Sequence, residues 1–113
     1  MLVDALHFDR SGSSIEDLAR VPAHRLHYWQ MCDAPAERPT TTEAMIHAAR
    51  HERMFPGEGG IDLVSLARAM PADIAVSLEI PTAELAKTMD ATARAQRALI
   101  AARKVIVESF NGA

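Results

Sequence analysis

The chain has 113 residues, 49% of them hydrophobic and 24% charged, and 12 Lys+Arg against 15 Asp+Glu leave a formal net charge of −3. That length builds one domain with its own core, and the acidic balance provides no basic field to draw counterions from a nucleic acid, so DNA or RNA is not an expected partner. The single cysteine, Cys32, cannot close an intramolecular disulfide, no run of about 18 apolar residues is present to span a membrane, and no signal peptide is visible, so the expected compartment is cytoplasmic.

Residues 2–8 are apolar apart from Asp4 and His7 and are expected to form a buried strand. Ser13-x-x-Glu16 offers a capping box for a helix over residues 14–20, with Ile15, Leu18 and Ala19 on one face. A second strand fits residues 25–31, where Leu26, Tyr28 and Gln30 alternate with His27, Trp29 and Met31. Thr41 or Thr42 caps a helix running toward Arg53 with Met45, Ile46 and Ala49 as its stripe. After the turn Pro56-Gly57-Glu58-Gly59-Gly60, Asp62 caps a helix to Met70, whose Leu63, Leu66, Ala67 and Met70 have the spacing of one buried face. Pro71 stops it, residues 74–80 form a third strand, and an Ala-rich helix occupies residues 88–108. Strands alternating with helices in this way imply α/β architecture with parallel pairing, the sheet being covered on both faces.

Each expected strand ends in ionisable or ligand-type groups: Asp4 and His7, then Gln30, Cys32 and Asp33, then Glu79. In parallel α/β folds the carboxyl ends of the strands line the ligand crevice, which would gather Asp4, Gln30 and Glu79 around one point. Two carboxylates and a carboxamide oxygen suit Mg²⁺ or Mn²⁺, and a nearby His widens the choice to Co²⁺ or Zn²⁺. Plainer readings stand beside this one. Asp4 and Asp33 also suit turns or helix caps, His7 suits a structural hydrogen bond, and Glu79 is costly in an apolar strand unless Arg53 or Arg50 neutralises it. His47 and His51 lack the intervening Glu of a zinc-protease helix, and the glycine-rich turn follows a helix rather than a strand, so it matches no phosphate-binding fingerprint. Cys32 reads as a buried thiol, and Tyr28 and Trp29 as packing residues.

Four segments together resemble the xylose isomerase-like TIM barrels, the sugar phosphate isomerase/epimerase superfamily. Asp4-Ala5-Leu6-His7 is similar to the Asp-x-x-His of that family's sixth strand, and Tyr28-Trp29-Gln30-Met31-Cys32-Asp33 to its seventh. Arg53-Met54-Phe55-Pro56-Gly57-Glu58-Gly59 resembles its Arg-x-x-Pro-Gly-x-Gly loop, and Val76-Ser77-Leu78-Glu79-Ile80 its eighth strand with a terminal metal-binding Glu. By position, the resemblance implies that Asp4 and Glu79 are metal ligands, with Glu79 also the acid/base. It implies that His7 contacts substrate or the groups that surround a metal ligand, and that Arg53 binds a substrate oxygen or phosphate. Gln30 stands where the family has its His ligand. The implied chemistry is proton transfer beside the carbonyl of a sugar or polyol, assisted by a divalent metal.

A complete barrel takes about 250 residues and eight strands. The expectation is therefore a single partial barrel over residues 1–113, resembling the last three βα units and lacking the family's first Glu ligand. Its chemistry would depend on the missing strands, and its open edges imply a homo-oligomer or completion by another chain. Two other readings remain. One is a non-catalytic α/β interaction module whose strand-end acids are structural. The other is an apurinic endonuclease-like hydrolase, which needs several more His ligands and a basic surface.

Overall fold

Asp4 ends the first strand because its side chain starts a helix. In the computed structural model, which describes residues 1–111, β1 covers Leu2–Asp4 and α1 follows directly as Ala5–Arg10. The Asp4 carboxylate accepts the His7 backbone N–H at 3.1 Å, the geometry of an N-cap. The expected strand over residues 2–8 is thereby shortened, and His7 lies on the first turn of a helix.

Local hydrogen bonds set the remaining boundaries. Ser14 rather than Ser13 caps α2 (Ile15–Ala19), accepting from Asp17 N at 3.0 Å. Ala23–Arg25 close a 3₁₀ turn after Pro22, so β2 is confined to Tyr28–Met31 instead of residues 25–31. Thr41 caps α3 (Thr42–His51) and Asp62 caps α4 (Leu63–Ala69), as the sequence suggested. β3 is Ala75–Leu78, and a 3₁₀ turn at Leu85–Lys87 precedes α5 (Ala91–Asn111). The last helix begins later than residue 88 because Asp90 accepts from Ala93 N at 2.8 Å, an N-cap arrangement that a turn ending at Thr88 leads into.

The sheet order is β1-β2-β3 with both pairs parallel. Strands that follow one another without reversal form the wall of a barrel, whereas a doubly wound sheet changes direction at a switch point. Register places Leu2, Tyr28 and Ala75 side by side, then Val3, Trp29 and Val76, then Asp4, Gln30 and Ser77. Because side chains alternate, these rows fall on opposite faces.

The face carrying Val3, Trp29 and Met31 packs into one core with Leu6, Leu18, Leu63, Leu66 and Val105 of the helices. Trp29 is 1% exposed. The other face is open: Leu2 and Tyr28 are 46% and 40% exposed, and Ala75 is exposed as well. The expected cover on both faces is corrected here, since the helices of these βα units lie on one side only. Tyr28 accordingly belongs to the open face and not to the core. α3 has no fully buried residue: of its stripe Ala49 packs partly against the core, Met45 is half-buried and Ile46 is 46% exposed. Among the described residues no helix is long and apolar enough to cross a membrane.

Candidate functional site

The polar row of the open face lies at the carboxyl ends of the strands. Asp4 and Gln30 are direct register partners on β1 and β2. Glu79 follows β3 immediately and extends the row begun by Ser77. The Gln30 side-chain amide donates to Glu79 Oε2. The neutralising partner expected for Glu79, Arg53 or Arg50, is therefore replaced by a carboxamide, and the Glu79 side chain reaches solvent, so no full desolvation penalty applies.

Arg53 ties the row to the protein. Only 6% exposed, it places Nη1 2.7 Å from Asp4 Oδ2, and their side chains are 5% and 9% exposed. Its Nε donates to Ala49 O at 2.8 Å, and Nη1 also reaches Glu79 O at 3.5 Å and Cys32 Sγ at 3.7 Å. Burial alone would lower the Arg53 pKa, but the hydrogen bond and charge of Asp4, with Cys32, push it above the ordinary arginine value. Burial pushes the Cys32 thiol up to about 11 against the opposing pull of Arg53. The thiol thus stays protonated at neutral pH, the inert state expected of a buried cysteine. Arg53 Nη2 makes no hydrogen bond among the described residues.

A cavity of about 810 Å³ opens at these strand ends, lined by His7, Ile46, Arg50, Arg53, Glu79 and Ile80 among others. The fold thus gathers Asp4, His7, Gln30, Arg53 and Glu79 at one end of the sheet. His7, Arg53 and Glu79 line the cavity itself; Asp4 is linked to it through Arg53 and Gln30 through Glu79. Arg50 lines it as well. Sequence reading considered Arg50 only as a counter-charge, and Arg53 lies two residues beyond the end of α3, so no helical spacing relates the two side chains.

Asp33 has a different task. It is 1% exposed and accepts four backbone N–H groups: Ala34 at 2.9 Å, Gly57 at 2.9 Å, Gly59 at 3.1 Å and Ile61 at 3.0 Å. The backbone of Asp33 also pairs with Met54 in both directions at 2.9 Å. The glycine-rich turn therefore cradles an anion that the chain itself provides. Gly57 takes a φ of +85°, open to glycine at little cost, and a Cβ at Gly59 would collide with Ala34 O and the Asp33 carboxylate. This turn positions Arg53 from its other side, since Asp33 and Met54 flank the strand end and the arginine.

The donor chemistry of Asp4, Gln30 and Glu79 fits a hard divalent cation. All three offer oxygen, they lie on adjacent strands, and a carboxylate with roughly four lone-pair sites can serve a cap, an arginine and a cation together. Among the described residues no three of His, Cys, Asp and Glu come together as metal ligands, so Gln30 is needed to complete even a three-donor set.

No protein-family model and no curated protein sequence matches the chain. Solved structures do. IolI protein with a bound zinc atom superimposes with a TM-score of 0.78 at 25% identity, over 97% of this chain and 38% of that one. A xylose isomerase domain protein from Alicyclobacillus acidocaldarius subsp. acidocaldarius gives 0.67 at 24% identity, over 96% and 37%. A fusion of a xylose isomerase-like TIM barrel with 4-hydroxyphenylpyruvate dioxygenase gives 0.75 at 22%, over 96% and 17%. The chain thus spans less than two-fifths of the length of each of these three structures.

Proposed function

From a fold that is part of a xylose isomerase-like TIM barrel, we propose that the chain carries the C-terminal part of a divalent-metal-dependent isomerase or epimerase site acting on a sugar or polyol. The observation that carries this reading is the meeting of Asp4, Gln30 and Glu79 at the ends of three adjacent parallel strands, on the sheet face left open. Asp4, Gln30 and Glu79 would hold Mn²⁺ or Mg²⁺, with Co²⁺ or Zn²⁺ as further options; the zinc of IolI is in keeping with a metal here. When bound, such a cation stabilises negative charge on an oxygen next to the carbon losing its proton.

Glu79 is the proton carrier: Gln30 holds its Oε2 and leaves Oε1 for the substrate carbon. His7 meets a substrate hydroxyl from the first turn of α1, and Arg53 offers Nη2 to a substrate oxygen. The three protein donors fall short of the six or more oxygens such a cation takes, so the remainder come from water, substrate or further strands. Those strands would come from a second copy or another polypeptide pairing with the free edges of β1 and β3. Size-exclusion chromatography should then show association that grows with concentration; elution as a monomer at micromolar and millimolar concentrations alike would refute it.

A ligand bound only by the folded state raises stability. Mn²⁺ should therefore raise the melting temperature of the chain, and Glu79→Gln should remove most of that gain. An unchanged Mn²⁺ response in Glu79→Gln would exclude Glu79 as a ligand. No Mn²⁺ response in either protein would favour the second reading, a non-catalytic module. One feature supports that alternative: Asp4 already has structural partners in the α1 cap and Arg53. The apurinic endonuclease-like reading has least support, because the described residues lack its histidine-rich donor set.

A further inference from the structure

Two cationic or polar side chains in the strand-end cavity have no partner among the described residues. Arg50 is exposed and makes no hydrogen bond or ion pair among the described residues, and the His7 ring makes no hydrogen bond there. The neighbouring arginine is different in kind, since Arg53 is buried and committed through Nε and Nη1. Arg50 stands in the last turn of α3. Its charge faces a cavity walled on other sides by Ile46, Leu78 and Ile80.

We propose that Arg50 recognises an anionic group, a carboxylate or a phosphate, on the molecule that occupies the strand-end site. A planar guanidinium with five donors matches either anion in a bidentate way. The His7 ring supplies a second polar contact, and Arg53 Nη2 a third. Glu79 lines the same cavity and opposes an anion. The Gln30 amide engages one of its oxygens, and a cation at Asp4, Gln30 and Glu79 would offset its charge. In this respect the inference rests on the metal-site reading above. It narrows the substrate from any sugar or polyol to one bearing an acidic group, and makes Arg50 the residue that selects it. The plainer role for Arg50, a solvated cation at a helix C-terminus, predicts no ligand dependence.

The test titrates the full chain with inorganic phosphate, gluconate and neutral xylitol by isothermal titration calorimetry, with and without Mn²⁺. Arg50→Gln should weaken binding of at least one anion about tenfold or more and leave xylitol unchanged, a loss typical of a charged hydrogen bond. Loss for phosphate alone identifies a phosphate ester, and loss for gluconate alone a carboxylate. Arg20→Gln, which removes an exposed arginine paired with Asp17 outside the cavity, should bind both anions as the parent does. Both anions binding Arg50→Gln within twofold of the parent, or neither binding the parent, would overturn the proposal. The ratio between parent and Arg50→Gln should persist without Mn²⁺. If the ratio persists while Mn²⁺ never strengthens anion binding, Arg50 keeps its role and the metal site falls.

Discussion

An Asp33→Asn variant is expected to melt about 12 °C or more below the parent chain, the size of shift that about 3 kcal/mol produces in a domain near 100 residues. The change is nearly isosteric, so packing is preserved. What is lost is acceptor capacity: four backbone N–H groups converge on the two Asp33 oxygens, and an asparagine turns a donor toward some of them. Donors left without an acceptor at a buried or partly buried site cost roughly 1–3 kcal/mol each. The same substitution at Asp62, which caps α4 from an exposed position, should cost almost nothing, because Asn and Asp cap about equally well. Differential scanning calorimetry on the pair separates the two cases. Equal losses would mean that the Asp33 cradle does not organise the turn from Gly57 to Ile61.

Arg53→Met should destabilise the chain by about 3–5 kcal/mol, because it leaves the Asp4 charge without its buried partner. It also removes the donor to Ala49 O, so the end of α3 loosens. Asp4→Asn separates the two tasks of Asp4, as the amide keeps the α1 cap but discards the charge. Alone it leaves Arg53 buried and uncompensated. Combined with Arg53→Met, it removes both charges together, and the double variant should be more stable than the sum of the single losses by about 1 kcal/mol or more. Urea denaturation of the four proteins reads this coupling directly. Strict additivity would show that the 2.7 Å contact contributes nothing as a pair.

Much of this was legible before any coordinates. The helix caps at Thr41 and Asp62 follow from side-chain chemistry at fixed offsets, and the structure reproduces them. Parallel α/β order follows from alternation of apolar strands with helical spacing, and the motif order pointed to a partial barrel, the fold the comparisons show. The first strand was carried too far, to Phe8, because the apolar run suits a buried strand and a buried helix equally well. Only the Asp4 cap decides between them. The open sheet face was not legible because hydrophobic continuity is the same whether the second cover comes from this chain or from elsewhere. Asp33 was undervalued because its partners lie far along the chain. Gly57 is 24 residues from Asp33, and no local pattern records such a pairing.

The central claim is that Asp4, Gln30 and Glu79 form one cation site, and paramagnetic broadening by Mn²⁺ tests it most directly. With the side-chain carboxyl and carboxamide signals assigned, substoichiometric Mn²⁺ should erase those of Asp4, Gln30 and Glu79 first, together with the nearby Arg53. Signals of Asp62 and Asp73, exposed carboxylates outside the strand-end cavity, should survive at the same ratio. Broadening that begins at the exposed carboxylates, or that leaves Gln30 sharp while the acids vanish, would contradict a site built from these three residues.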